Sequence, residues 1–313
     1  MPSITRRLRN AVKRGLYQGF RVGQYCGLDI LPRHFYSTVP DHRELHRRPY
    51  WRTPMSMVGV QGTDVESQLR FVAECYTPVV RDRLAKFDVH GYAASENGEM
   101  GYGPVEAAFL YGFIFTRRPP RVVQVGAGVS TAVVLRAAQD AGYAVEVTCV
   151  DPFPTGYLTR LAGERKIKLL AEPAQEIDLE VLTGVGEGDL FFVDSTHTVK
   201  VGSEVNRIVL EVLPRLVVGT SVHFHDIFFP YDYGRSLLLE SLSFNGESTL
   251  LHAFLACNPR YTISAAMSML HYAAPERLRE IIPSYQPQAN DAGLMTANAP
   301  GHFPSAAYLR VVA

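Results

Sequence analysis

Alternating strand and helix signals from residue 121 to the C-terminus predict an α/β fold. The expected architecture is a Rossmann-like, mostly parallel sheet with helices on both faces, preceded by a mainly helical appendage. Three observations carry this. Arg121–Thr131, RVVQVGAGVST, reads as a buried strand running into a Gly-x-Gly turn. A second apolar run, Val145–Val150, ends at Asp151, 25 positions after Gly126. Asp151, Asp194 and Asp226 all fall at predicted strand ends, the edge where such sheets bind ligands.

In order along the chain, residues 1–95 are rich in Arg, Tyr, Pro and His and lack a strong period. They form the expected appendage, with one helix at Ser67–Tyr76 that sets Leu69, Phe71, Val72 and Cys75 on one side. Gly101, Gly103 and Pro104 punctuate the chain, and Val105–Phe115 is an apolar helix ended by Arg117–Pro120. Strand 121–126 leads to helix Ser130–Ala141, with Gly142 as its stop. Strands follow at 145–150, Ile167–Leu170 and Leu190–Val193. Val201, Val205, Ile208, Val209 and Val212 have helical spacing and predict a helix over 201–213. Strand Ser221–His225, helix Thr249–Ala256 and final strands at Tyr261–Ser264 and Ala306–Val312 complete the pattern. Apolar strands separated by helices argue for a parallel sheet covered on both sides.

Composition excludes several classes. Lys plus Arg and Asp plus Glu both total 31, so overall charge gives no argument for a nucleic-acid partner. The balance is uneven along the chain. Arg6, Arg7, Arg9, Lys13, Arg14 and Arg21 precede any acid, a patch suited to peripheral contact with an anionic membrane surface or another protein, or simply to a solvated, frayed terminus. Cys26, Cys75, Cys149 and Cys257 show no zinc spacing and fit a reducing, cytoplasmic setting. No apolar run approaches the ~18 residues of a membrane span, and the basic N-terminus lacks the apolar stretch of a secretory signal.

Strand, glycine turn, helix, strand and acid is the layout of a nucleoside site. Glycine admits close backbone approach, and an acid at the next strand tip accepts hydrogen bonds from ribose hydroxyls. In GAGVST the third glycine of a dinucleotide fingerprint is replaced by Thr131, and no GxxxxGK[ST] occurs. A ligand with ribose and no phosphates fits better, and S-adenosylmethionine is such a ligand.

At these residues the chain resembles the class I S-adenosylmethionine-dependent methyltransferases. VVQVGAGVST is similar to their first motif, Val150-Asp151-Pro152 to the acidic second, and LFFVDSTH (190–197) and VHFHDIFFPYDY (222–233) to the fourth and fifth. FYSTVPD (35–41), LLHAFLACN (250–258) and SAAYLRV (305–311) extend the likeness toward the bacterial branch of macrocin O-methyltransferases and cephalosporin-hydroxylase-like proteins. The resemblance implies a seven-stranded sheet with the last strand antiparallel, a catalytic domain over 96–313 and an appendage over 1–95. It implies that Gly126, Gly128, Ser130 and Thr131 face the methionine moiety and ribose. Asp151, followed by Pro152, would hold the ribose hydroxyls; Gln175 and Glu176 fall in the adenine region, and Asp194 borders the cofactor. Gln124 stands where many relatives carry an acid for the cofactor's amino group.

Asp194 and His197 form D-x-x-H beyond one strand, and His225 and Asp226 end the next. Two carboxylates and an imidazole thus converge. One reading is a divalent metal, Mg²⁺ or Mn²⁺, held by Asp194, His225 and Asp226. The expected reaction is in-line attack by a hydroxyl of a sugar, glycan or small natural product on the sulfonium methyl. His197 is the expected base, with His225 as competitor, because imidazole titrates near neutrality. His223 is expected to point away from the site. Phe228, Phe229, Tyr231 and Tyr233 could wall an acceptor pocket, although loop packing is the commoner role of such aromatics. Two rival readings stay open: a nicotinamide-dependent enzyme, and a non-catalytic protein on the same fold.

Overall fold

The structure, a computed structural model, describes residues 4–48, 50–232, 238–239, 241–288 and 300–313. Its chain parts into two compact units, Met1–Arg48 and Pro49–Ala313. The first holds helix α1 (Ile4–Tyr25) and helix α2 (His42–Arg47), the latter capped by Asp41, whose side chain accepts from the Arg43 N–H.

The second unit is built on one seven-stranded sheet: β1 (Arg121–Val125), β2 (Glu146–Val150), β3 (Lys168–Leu170), β4 (Leu190–Val193), β5 (Ser221–Phe224), β6 (Tyr261–Ala266) and β7 (Ala307–Val311). Their spatial order is β3-β2-β1-β4-β5-β7-β6. Only β7 is antiparallel, to β5 and to β6, so the α/β, Rossmann-like expectation with its reversed last strand holds. Strand order reverses about β1, and its neighbours β2 and β4 lie on opposite sides. This is the switch point where the carboxyl ends of parallel strands leave a crevice.

Period-two alternation distributes the strands between two cores. Val122, Leu190 and Phe192 face helices α3 (Val65–Cys75), α4 (Pro78–Leu84), α5 (Val89–Asn97), α6 (Pro104–Arg117) and α7 (Val129–Ala141). Helices α12 (Met267–Ala273) and α13 (Pro275–Ile281) join the same layer. Val123, Val125, Phe191, Val193, Val222 and Phe224 face the other way. There they meet α9 (Leu179–Leu182), α11 (Glu247–Leu255) and the segment 204–216, whose short helix α10 is Glu204–Arg207. Helix α8 (Gly156–Gly163) precedes β3.

Residues 65–97 pack into the core of the sheet-bearing unit, and the compact units part after Arg48. The single helix expected over 201–213 is shorter and irregular. Gly202 sits at φ 75°, Ser203 caps α10 by accepting from the Asn206 N–H, and the chain widens to π geometry over Ile208–Val212. It then tightens to a 3₁₀ turn at Leu213–Arg215, because Pro214 lacks the N–H that an α-helical ladder needs. Gly142 ends α7 in the left-handed region at φ 70°, as its position predicts.

Candidate active site

The crevice at the β1 switch point opens into a cavity of about 450 Å³. That falls in the ~300–1,000 Å³ range of small-molecule sites. Val125 and Val150 supply apolar floor, and Gly126, Asp151, Pro152 and Asp194 border it. Asp151 is held in place by two backbone donors. The Ala127 N–H reaches its Oδ2 at 3.1 Å, and the Phe153 N–H reaches its Oδ1 at 2.8 Å. A carboxylate offers roughly four lone-pair sites, so Asp151 retains acceptors for a ligand.

The glycine turn has a more specific explanation than ligand approach. Gly126 has φ 80°, and a Cβ there would lie 1.7 Å from the Asp194 carbonyl oxygen. The turn after β1 therefore packs directly on the turn after β4. Gly128 faces the side chain of Asn97, which also accepts a 2.8 Å hydrogen bond from the Thr155 hydroxyl.

Gln124, Ser130 and Thr131 do not line the cavity: they are buried where β1 meets α7 and bonded to one another. The Thr131 hydroxyl donates to Gln124 Oε1 at 2.8 Å, and Gln124 Nε2 donates to Ser130 Oγ at 3.2 Å. Gln124 shares the parity of Val122, so its side chain points to the helical face and not along the strand axis. Thr131 Oγ1 also accepts from the Gly128 N–H at 3.2 Å, shaping the turn from behind. Glu176 is exposed and does not border the cavity, whereas its neighbour Gln175 does. Lys200, Ser203 and Glu204 also line it, contributed by the irregular segment after β4.

Beside the cavity, the ends of β4 and β5 bring Asp194, His197, His225 and Asp226 together. His225 Nδ1 lies 3.2 Å from Asp194 Oδ1, and His197 Nε2 lies 3.6 Å from Asp194 and 3.7 Å from Asp226. His197 and Asp226 both adopt left-handed backbone, φ 59° and 53°, a conformation that non-glycine residues hold only where surroundings enforce it. The other nitrogen of His197, Nδ1, lies 2.7 Å from Oε2 of Glu247, the first residue of α11, which is buried. Behind Asp226, the Ser305 hydroxyl donates to Oδ1 at 2.8 Å, and the Ser305 N–H donates to buried Glu106 at 2.8 Å.

These contacts set the protonation states. Burial opposes charge on His225, but Asp194 and Asp226 outweigh it and push the imidazole up to about 10. Burial likewise opposes charge on His197, yet the hydrogen bond and charge of Glu247, with Asp226 and Asp194, hold it above its ordinary value. Asp194 is pulled below the usual carboxylate range because His225 and His197 overcome its own desolvation. Burial raises Glu106.

The donor set does not assemble as a metal centre. Among the described residues no group of three or more His, Cys, Asp or Glu is arranged to hold a metal ion. The imidazole nitrogens of His225 and His197 lie 3.2–3.7 Å from carboxylate oxygens of Asp194 and Asp226. The metal expectation for Asp194, His225 and Asp226 therefore finds no fit here.

His223 does not point away from His225. Two residues apart on one strand, they share a face, and both rings meet Tyr102, His225 at 4.8 Å and His223 at 5.9 Å between centroids. His223 lies deeper, stacked on Phe192, and burial pushes it well below its ordinary value. Phe228 and Phe229 are buried packing residues, Tyr231 is half-buried, and Tyr233 lies outside the described residues. Sequence reasoning missed Tyr102, Glu106, Glu247 and Ser305. Only Ser305 carried a signal, as the first residue of SAAYLRV.

Residues 123–227, which span the glycine turn, Asp151, Asp194 and Asp226, match the family model described as a methyltransferase domain. A curated relative, an uncharacterized protein of Archaeoglobus fulgidus, is 26% identical over 176 residues, covering 52% of this chain and 77% of the relative. Among solved structures, the SAH-bound methyltransferase PaMTH1 of Podospora anserina is 16% identical, covering 88% of this chain and 99% of its own, at a TM-score of 0.39. The O-methyltransferase from Bacillus cereus in complex with SAH is 12% identical, covering 76% and 92%, at 0.41. The sheet order is that of a Rossmann-like α/β fold, and the segment carrying the glycine turn and the three strand-end acids is similar to the methyltransferase-domain model.

Proposed function

We propose that the protein is an S-adenosylmethionine-dependent methyltransferase acting on a hydroxyl of a sugar, glycan or small natural product. The observation that carries this reading is the adjacency of a cavity bordered by Asp151 to a histidine–carboxylate cluster, the two joined at Asp194. When bound, S-adenosylmethionine supplies an activated methyl on a sulfonium leaving group. Asp151 accepts from the ribose hydroxyls, and Asp194 places a negative charge beside the cationic end of the ligand.

His197 is the base. Its Nδ1–H donates to Glu247, which fixes the tautomer and leaves Nε2 facing Asp194 and Asp226. Bound S-adenosylmethionine would supply the methyl to the acceptor oxygen and leave as S-adenosylhomocysteine, while Nε2 of His197 would take the hydroxyl proton. His225, kept protonated, is a poor base and serves to hold Asp194. Alignment of the two reactants is worth ~7–11 kcal/mol in favourable cases, and a positioned base adds roughly 10²–10⁴ in rate.

Calorimetric titration with S-adenosylhomocysteine tests the cofactor assignment. Binding near the micromolar range is expected, with a loss of about tenfold to a hundredfold in Asp151→Ala, which removes a charged hydrogen-bond acceptor. Absence of binding to the native protein, alongside binding of NADH, would move the assignment to the nicotinamide reading.

A further inference from the structure

Helix α1 is a continuous 22-residue helix with six basic residues and no acid. The remainder of the chain carries 25 Lys and Arg against 31 Asp and Glu, so positive charge is segregated into this one element. Over its C-terminal half the helical period divides the residues by chemistry. Val12, Leu16, Gly19, Val22 and Gly23 fall on one half of the surface; Lys13, Arg14, Tyr17 and Arg21 fall on the other. Val12, Leu16 and Val22 are 56%, 46% and 61% exposed. Exposure of apolar residues continues past the helix at Leu28, Ile30 and Leu31 and reaches 87% at Phe35. No described helix is long and apolar enough to cross a membrane.

A polyanion such as nucleic acid would satisfy the basic half and leave the apolar half in water. An interface between water and hydrocarbon satisfies both, since basic residues meet phosphate headgroups while aliphatic and aromatic side chains enter the acyl boundary. We propose that α1 docks the protein, lying flat, on an anionic phospholipid surface. The geometry adds to the clustered charge of the sequence two things: a single uninterrupted helix, and exposed Val12, Leu16 and Val22 on its apolar half, which Leu28 and Ile30 cover at Gly23. This inference does not depend on the methyl-transfer reading.

Flotation of the full-length protein with two vesicle types tests it: phosphatidylcholine alone, and phosphatidylcholine with one-third phosphatidylglycerol. Binding is expected only to the anionic vesicles and weakens as salt rises. The triple substitution Lys13→Gln, Arg14→Gln, Arg21→Gln is expected to lower partitioning about a hundredfold, and Leu16→Ser to lower it by a smaller factor at unchanged charge. Retained binding of S-adenosylhomocysteine, or an unchanged circular dichroism spectrum, shows that each variant is folded. No flotation, equal flotation with both vesicle types, or flotation indifferent to the triple substitution overturns the proposal. So does a lipid-free dimer that Leu16→Ser dissociates, because a second copy then covers the apolar half. Should a variant fail to fold, the vesicle comparison and salt response of the native protein still decide.

Discussion

The two halves of the candidate site are built differently. The cavity half is local: Gly126, Asp151 and their amide donors lie within two consecutive strand–turn units. The acid–base half is assembled from five distant segments, with Glu106, Asp194 and His197, His225 and Asp226, Glu247, and Ser305 meeting at the ends of β4 and β5. The cavity half is held by backbone hydrogen bonds and one close glycine contact, while the other is held by buried charge. The first can be changed by altering one strand tip. The second depends on every element that desolvates or pairs its carboxylates and imidazoles, because a buried charge without its partner is costly.

The sharpest way to break both halves together is Gly126→Ala. The added Cβ would collide with the Asp194 carbonyl oxygen at 1.7 Å, on backbone at φ 80°. Thermal unfolding should show a loss of about 4 kcal/mol or more, the range of backbone strain combined with overpacking. Near-native stability would mean that the two turns do not pack as described.

His197→Ala should separate the halves. Turnover is expected to fall roughly 10²–10⁴-fold while affinity for S-adenosylhomocysteine changes by only a few-fold, because His197 does not border the cavity. Parallel losses in both quantities would show that the histidine is part of the ligand site instead.

Glu247→Gln is the finest of these tests. The hydrogen bond it alters is charge-assisted and worth about 1.5–3 kcal/mol, so turnover should fall about tenfold to a hundredfold. Its pH profile adds the sign. A base must be unprotonated to act, and His197 is held above the ordinary imidazole value of about 6.5 mainly by Glu247 working against burial. The acid limb of the native rate profile should therefore lie above that value. With the carboxylate neutralised, protonated His197 loses its main support and the limb should move to lower pH. A limb that stays put would assign the titration to another group.

The same contrast explains what could be read in advance. The glycine turn, Asp151 and the D-x-x-H pair lie at strand ends that periodicity marks, so both strand order along the chain and the site's edge were legible. Gln124, Ser130 and Thr131 were not, because side-chain parity and burial where β1 meets α7 turn them from the cavity into an internal hydrogen-bond network. His223 was misplaced for a related reason: residues two apart on a strand share a face, and depth rather than direction separates it from His225. Helix 201–213 has the right apolar spacing, but Pro214 and the turn at Gly202 leave only a short α segment followed by π and 3₁₀ geometry. That irregular segment brings Ser203 and Glu204 to the cavity wall.

By itself the sequence determined the α/β class, the ligand-binding edge, and the placement of acids and histidines there. Those properties follow from local periodicity and from glycine and acid at strand ends. Only the tertiary structure decided which imidazole is oriented by a carboxylate and which is pushed furthest up by its neighbours. Glu247 and Glu106 come from elements remote in the chain. Glu247 raises His197 across 2.7 Å, and Ser305 links Glu106 to Asp226 through two 2.8 Å hydrogen bonds, contacts whose strength depends on packing having excluded water.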